Sequence, residues 1–309
     1  MVFMTPPSRS KYRTVSGVVL LDKPTGLTSN QALQRVKHLF NAEKAGHTGS
    51  LDPLASGLLP ICLGEATKIS GFLLDADKAY VTEARLGVTT DTGDADGQVI
   101  RQRDVPQLNI EQIEVVLNRF RGDIQQVPPM HSALKQNGQP LYKLAHRGES
   151  VERTARPVTI YSLELESFVS PVLRLRVRCS KGTYIRSLVE DIGEALGCGA
   201  HVTMLRRTAV AGATLATAHT LDQLQAIAAE GVAALDAQLI DMQDMLSAWP
   251  RVDLDAVGVY RLTSGLGVWL DQPPAPGLIW LHGPDHRLLG IGLVEDTGRI
   301  VPKRMLKHE

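Results

Sequence analysis

Cysteine is scarce in this chain, with three residues in 309: Cys62, Cys179 and Cys198. An odd number without a C-x-x-C pair supports neither a disulfide framework nor a zinc site, and points to a reducing compartment. Aromatic residues are few, at 5%, and net charge is absent, with 33 Lys plus Arg against 33 Asp plus Glu. Nucleic-acid-binding domains are usually basic, so this balance alone argues against a polyanionic partner. No apolar run approaches a membrane span, and the leading MVFMTPPSRSKYR lacks the hydrophobic stretch of a secretory signal. A cytoplasmic protein with no membrane partner is expected. Also missing are G-x-x-x-x-G-K-[ST], G-x-G-x-x-G after a strand, H-E-x-x-H and G-x-S-x-G, and no histidine pairs with a cysteine at ligand spacing. Nothing argues for a nucleotide cofactor or a metal, and none is expected.

What is present is an ordinary globular composition, 43% hydrophobic and 21% charged, in a chain long enough for one large or two unequal domains. The neutral average hides a gradient. Residues 1–50 carry seven Lys or Arg against two acidic residues, and 171–210 carry seven against three. From 211 to 300 there are four basic and eleven acidic residues. If the two basic segments meet in space they form a patch suited to a polyanion; otherwise they are solvated surface charge.

Along the chain, GVVLLDKP (17–24) reads as a strand stopped by Pro24 and Gly26. Ser29 then caps an amphipathic helix with Ala32, Leu33, Val36, Leu39 and Phe40 at helical spacing. AGHTGSLDPLASGLLPICLGEATK (45–68) is too rich in Gly and Pro for one regular element, and reads as a structured loop entering a strand at 58–63. A helix over 65–74 and a strand over 80–86 follow. DTGDADG (91–97) fails as a calcium loop, because the twelfth position falls on Arg103 where a Glu is needed. It reads as an acidic turn. A helix near 111–120 leads into 127–157, a Pro-, Gly- and Arg-containing surface insertion with one short helical pattern, LYKLAHRG. Strands at 158–168 and 172–179 pair antiparallel, the second alternating apolar residues with Arg to give one buried and one basic face. A helix near 184–196, a Gly-rich turn, a strand and a helix at 220–229 follow. After Pro250 several short strands with Gly turns mark a small β-rich domain, 250–309, beside a main domain, 1–249. The fold class is α+β with a mainly antiparallel sheet.

The distinctive local feature is GHTGSLDPLASG. Pro53 drives Asp52 out of the helical region, in a loop whose glycines permit tight backbone geometry. Such an aspartate either braces the loop as a hydrogen-bond acceptor or serves as a catalytic carboxylate, and the local residues leave both open. His47 reads as a hydrogen-bonding loop residue.

Six blocks then occur in order: GVVLLDKPTGLTSN, AGHTGSLDPLASGLLPICLGEATK, Tyr80, TDTGDADG, PPMHSALKQNGQPLYKLAHRG and SKGTYIRSLVEDIGEALGCGAHVTMLRR. Together, over 17–210, they resemble the bacterial TruB type of tRNA pseudouridine synthase, and the tail resembles the family's small PUA-type RNA-binding module. The resemblance implies the pseudouridine synthase fold with a mixed, mainly antiparallel sheet. It also implies isomerisation of uridine-55 in the T loop of tRNA, with the uracil detached from C1′, turned and rejoined through C5. No cofactor is needed. Tyr80, Asp52 and Arg186 fall at the family's catalytic positions. Asp52 would be the essential carboxylate, whether it attacks C1′, attacks C6 or removes a ribose proton. Tyr80 would stack on the extruded uracil, replacing part of the lost base stacking.

Tyr184, two residues from Arg186, would project to the same side if GTYIR is extended, and would contact base or ribose. Arg186 would pair with Asp52 and keep it ionised, with Asp94 as a second carboxylate. His47 would contact RNA near the vacated base position, and Leu205 would line the uracil pocket. Lys23 is either structural or phosphate-facing. The 127–157 insertion matches the family's mobile thumb, closing on the T stem-loop, and a monomer is expected. A protein that binds and folds tRNA without turnover is the competing reading. An aspartate-dependent hydrolase would lack the second carboxylate or metal that water activation requires.

Overall fold

The computed structural model describes residues 12–307, apart from 133, 137, 146 and 150. Its central element is a nine-stranded sheet. Seven strands follow the spatial order Gly17–Lys23, Ser56–Leu63, Ala200–Val210, Lys78–Leu86, Val172–Cys179, Arg156–Val169 and Gly122–Gln126, with Ala45–His47 and Ala213–Thr214 flanking. All pairings are antiparallel except that of Ala200–Val210 with Ser56–Leu63. The expected α+β class with a mainly antiparallel mixed sheet is therefore what the chain adopts.

The strands Gly17–Lys23 and Ser56–Leu63 are apolar on both faces because both are covered. Val19, Leu21, Leu59, Ile61 and Leu63 face a core shared with the helices Ser29–Leu39, Ile110–Asn118, Ile185–Ala195 and Leu221–Glu230. Val18, Leu20, Leu58, Cys62 and Val210 face a second core, closed by Met242, Met245, Trp280 and Ile291. Trp280 and Ile291 belong to a separate five-stranded sheet, in the order Arg251–Asp253, Gly277–His282, Leu288–Val294, Arg299–Met305 and Val268–Trp269. The three cysteines are buried and free. Among the described residues no helix is long and apolar enough to cross a membrane.

Several local expectations are corrected. The first helix is capped by Thr28, not Ser29: Thr28 and Gln31 form a reciprocal capping box. The segment 65–74 is not one helix but a tight 3₁₀ stretch, Gly64–Ile69, followed by Ser70–Leu74. The arginine face of Val172–Cys179 is largely compensated: Arg174 pairs with Glu83 and Glu166, Arg176 with Glu166, and Arg178 with Asp77. The two basic segments do meet, but through Arg206 against Asp22 at 2.7 Å.

Candidate active site

Asp52 sits in the loop that enters the Ser56–Leu63 strand, held from outside by Ser29 and Gly26 and within itself by Ala55. The Ser29 hydroxyl, freed from any capping duty, accepts the Leu51 N–H at 2.7 Å and lies 3.1 Å from the Leu51 carbonyl. Gly26 N–H donates to the Pro53 carbonyl at 2.7 Å, and Ala55 N–H to the Asp52 carbonyl at 3.0 Å. Gly57 lets the following strand sit close to its parallel neighbour. At its φ of +102°, a Cβ would lie 2.2 Å from the Arg207 carbonyl oxygen.

Arg186 approaches Asp52 from the first turn of Ile185–Ala195, with Nε 3.1 Å from Oδ2. The condition set for Tyr184 and Arg186 to share a side, an extended GTYIR, is not met, since the expected helix begins at Ile185. Tyr184 is the N-cap residue, and Gln126 brackets its backbone, accepting from its N–H at 2.8 Å and donating to its carbonyl at 3.0 Å. The buried Arg186 guanidinium also reaches Asp94 at 3.4 Å, the Thr92 carbonyl at 2.8 Å and the His131 carbonyl, within the insertion, at 2.7 Å.

The pairing does not make Asp52 a stronger acid. Burial pushes its carboxyl above the usual aspartate range; Arg186 pulls it down, while Asp94 and Asp96 push it further up. Its side chain nevertheless keeps 40% exposure, against 7% for Arg186 and 6% for Asp94, so the carboxylate is the part of this network open to an incoming molecule.

Tyr80 lies in Lys78–Leu86, directly opposite Arg207 across the sheet, and Leu205, two residues earlier, shares the same strand face. Tyr80 is 8% exposed; burial raises its phenol pKa, and Asp52 adds to the rise. Leu205 is buried in the same core as Tyr80. His47, partly buried, has an Nδ1 without a hydrogen-bond partner, and burial together with Arg207 holds its pKa below the ordinary histidine value.

Lys23 is structural. It is fully buried, and its ammonium donates to the Pro24 carbonyl at 2.8 Å and the Leu27 carbonyl at 2.6 Å; burial lowers its pKa to about 8, Asp52 pulling the other way. Two residues at this site carried no sequence signal of their role: Ser29, read as a helix cap, and Arg207, read as one more charge in a basic strand. Two concavities of about 520 and 310 Å³ are lined by none of Asp52, Tyr80 or Arg186.

A carboxylate held by a guanidinium, beside a tyrosine and open on one side, suits covalent or proton-transfer chemistry on a flat base. Comparison with known proteins decides which family owns the arrangement. Residues 37–185 match the TruB family pseudouridylate synthase (N terminal domain), 186–247 the tRNA pseudouridylate synthase B C-terminal domain, and 250–306 the pseudouridine synthase II TruB C-terminal family. The chain belongs to the TruB family of pseudouridine synthases. It is 55% identical over 298 residues to tRNA pseudouridine synthase B of Pseudomonas paraeruginosa (strain DSM 24068 / PA7), covering 96% of this chain and 97% of that protein. Its identity to the same-named protein of Ectopseudomonas mendocina (strain ymp) is 54% over 295 residues, covering 95% and 96%. Among solved structures, a chain of a Cbf5-Nop10-Gar1 complex matches with TM-score 0.72 and 27% identity, over 94% of this chain and 84% of that one. A chain of an H/ACA RNP bound to a substrate RNA containing 2′-deoxyuridine matches with TM-score 0.71 and 25% identity, over 95% and 85%. The TruB blocks GHTGSLDPLASG and SKGTYIRSL are thus the segments that supply Asp52, Tyr184 and Arg186.

Proposed function

We propose that this TruB-family enzyme converts the uridine at conventional position 55, in the T loop of tRNA, to pseudouridine. The observation that carries the reading is the Asp52–Arg186 pair at 3.1 Å, with Asp52 its exposed member and Tyr80 buried beside it. A base must leave its stack before its glycosidic bond is reached, at a cost of a few kcal/mol. Tyr80 offers the extruded uracil a ring, with Leu205 on the same face, and Tyr184 and His47 stand at the rim as base, ribose or RNA contacts. Asp52 acts in its ionised form, attacking carbon or accepting a ribose proton, and Arg186 holds it in place. Uracil is then turned in the pocket and rejoined through C5. No atom is gained or lost, and the chemistry calls for no cofactor.

The chain acts as a monomer in the cytoplasm on the T stem-loop. The catalytic domain is 1–249, the insertion at 127–157 closes over the arm, and the PUA-like module 250–309 adds RNA contacts. The naming of the Pseudomonas relatives as tRNA pseudouridine synthases supports the choice of tRNA. The test is incubation with an unmodified tRNA transcript and with an isolated T-arm stem-loop, followed by mapping of every modified uridine. One modified position in the T loop is expected. Tight binding without modification would leave tRNA folding as the chain's function, and modification elsewhere would overturn the substrate assignment.

A further inference from the structure

Arg207 is one of the largest fully buried side chains, at 1% exposure. Its Nε donates to the Leu58 carbonyl at 2.7 Å and its Nη2 to the Gly49 carbonyl at 3.2 Å. Those carbonyls flank the loop that carries Asp52. Across the sheet its strand position pairs with Tyr80, and the guanidinium reaches the Tyr80 hydroxyl. No carboxylate balances it among the described residues, and its charge also bears on Lys23, His47 and Lys78. An unpaired buried cation costs stability that an apolar residue would not. Its retention in this core calls for another role.

A guanidinium only donates hydrogen bonds. The Tyr80 oxygen facing it must therefore accept, which leaves the phenol's own hydrogen directed elsewhere. Its planar fork also addresses the Leu58 and Gly49 carbonyls at fixed angles while it faces Tyr80, which a lysine ammonium would not do.

We propose that Arg207 is a positioning residue of the pseudouridine synthase reaction: it fixes the orientation of the Tyr80 hydroxyl and ties that phenol to both ends of the Asp52 loop. This rests on the reading of Asp52 and Tyr80 as the reacting site. The test is a double-mutant cycle in the full-length chain, with Arg207→Lys and Tyr80→Phe, measuring single-turnover pseudouridine formation and T-arm affinity. Arg207→Lys is expected to slow turnover about 20- to 100-fold, the scale of a small misplacement of reacting groups. Affinity should stay within about three-fold, since Arg207 is buried and offers incoming RNA no surface of its own. In the Tyr80→Phe background the same change should cost less than about three-fold more, because the hydroxyl it orients is already gone. Equal losses in both backgrounds would mark Arg207 as mere core, and an unchanged rate for R207K would sink the proposal outright. Should R207K fail to fold, Y80F decides: wild-type turnover without the hydroxyl overturns the proposal, whereas a comparable loss at unchanged affinity upholds it. A wild-type chain that makes no pseudouridine fails earlier, and fails the underlying reading instead.

Discussion

A carboxylate 3.1 Å from a guanidinium is ordinarily a stronger acid than a free one, and Asp52 is not. Burial outweighs Arg186, Asp94 shares the cation, and Asp94 and Asp96 both add negative charge. On the proposed mechanism the ionised form reacts, so activity should fall as pH drops through a pKa above the usual aspartate range. Arg186→Met should shift that acid limb upward, seen in single-turnover rates against pH. Asp52→Asn should leave tRNA affinity within a few-fold and abolish pseudouridine formation; turnover at even a hundredth of wild type would count against its role. At this scale the sequence was informative where a motif was continuous: HTGSLDP and GTYIR marked Asp52 and Arg186. It was silent on Arg207, whose partners Gly49, Leu58 and Tyr80 are brought to it only by sheet pairing. It also left Lys23 open, because no local residue reveals that its ammonium ends on the Pro24 and Leu27 carbonyls.

Two helices carry the site's geometry. In Ser29–Leu39 the first helical position, rather than the cap, holds the Asp52 loop, through Leu51. Ser29→Ala leaves both Leu51 backbone groups buried without that partner. A loss of about 1–3 kcal/mol in denaturant unfolding is expected, together with slower turnover. In Ile185–Ala195, Glu190 lies one turn beyond Arg186, against Gly93, and burial with neighbouring Asp191 raises its pKa to about 7. A carboxyl whose pKa is higher in the fold binds more protons there, so its contribution to stability is complete below about 4.5 and declines as pH rises toward 7. Glu190→Gln should therefore melt higher than wild type at pH 8, by about 1 kcal/mol after allowance for partial solvent screening, and show little difference at pH 4. The capping box was legible as Thr28 and Gln31, three apart, yet the adjacent Ser29 fits the cap preference equally well. What separates them is Leu51, twenty-two residues on, and nothing in the TSNQ stretch encodes that contact.

Across the whole molecule the two sheets share a core. Trp280 packs against Trp249 with ring centroids 5.2 Å apart, Phe72 meets Trp249 edge-on at 5.0 Å, and the Trp280 indole donates to the Leu246 carbonyl at 3.2 Å. Trp280→Ala should cost about 3–5 kcal/mol and lower the melting of both sheets together rather than release one. The β-rich tail was readable from its short runs and glycine turns; its seating on the catalytic sheet was not, because residues such as Val18 and Leu58 look the same whichever layer covers them. Neutral net charge and the compensated arginines of Val172–Cys179 leave binding to fewer phosphate contacts than the basic segments suggest. Affinity for tRNA should still fall linearly in a log–log plot against salt; a flat plot would remove phosphate contacts as a source of binding.

The bond from Arg186 to the insertion is made to a main-chain oxygen, that of His131. The path of the chain through that position is therefore tied to the catalytic-pair arginine by the backbone itself. An exchange of the whole segment with that of a distant relative would have to preserve that contour, and a single inserted or deleted residue just before His131 should carry the carbonyl out of reach of Arg186.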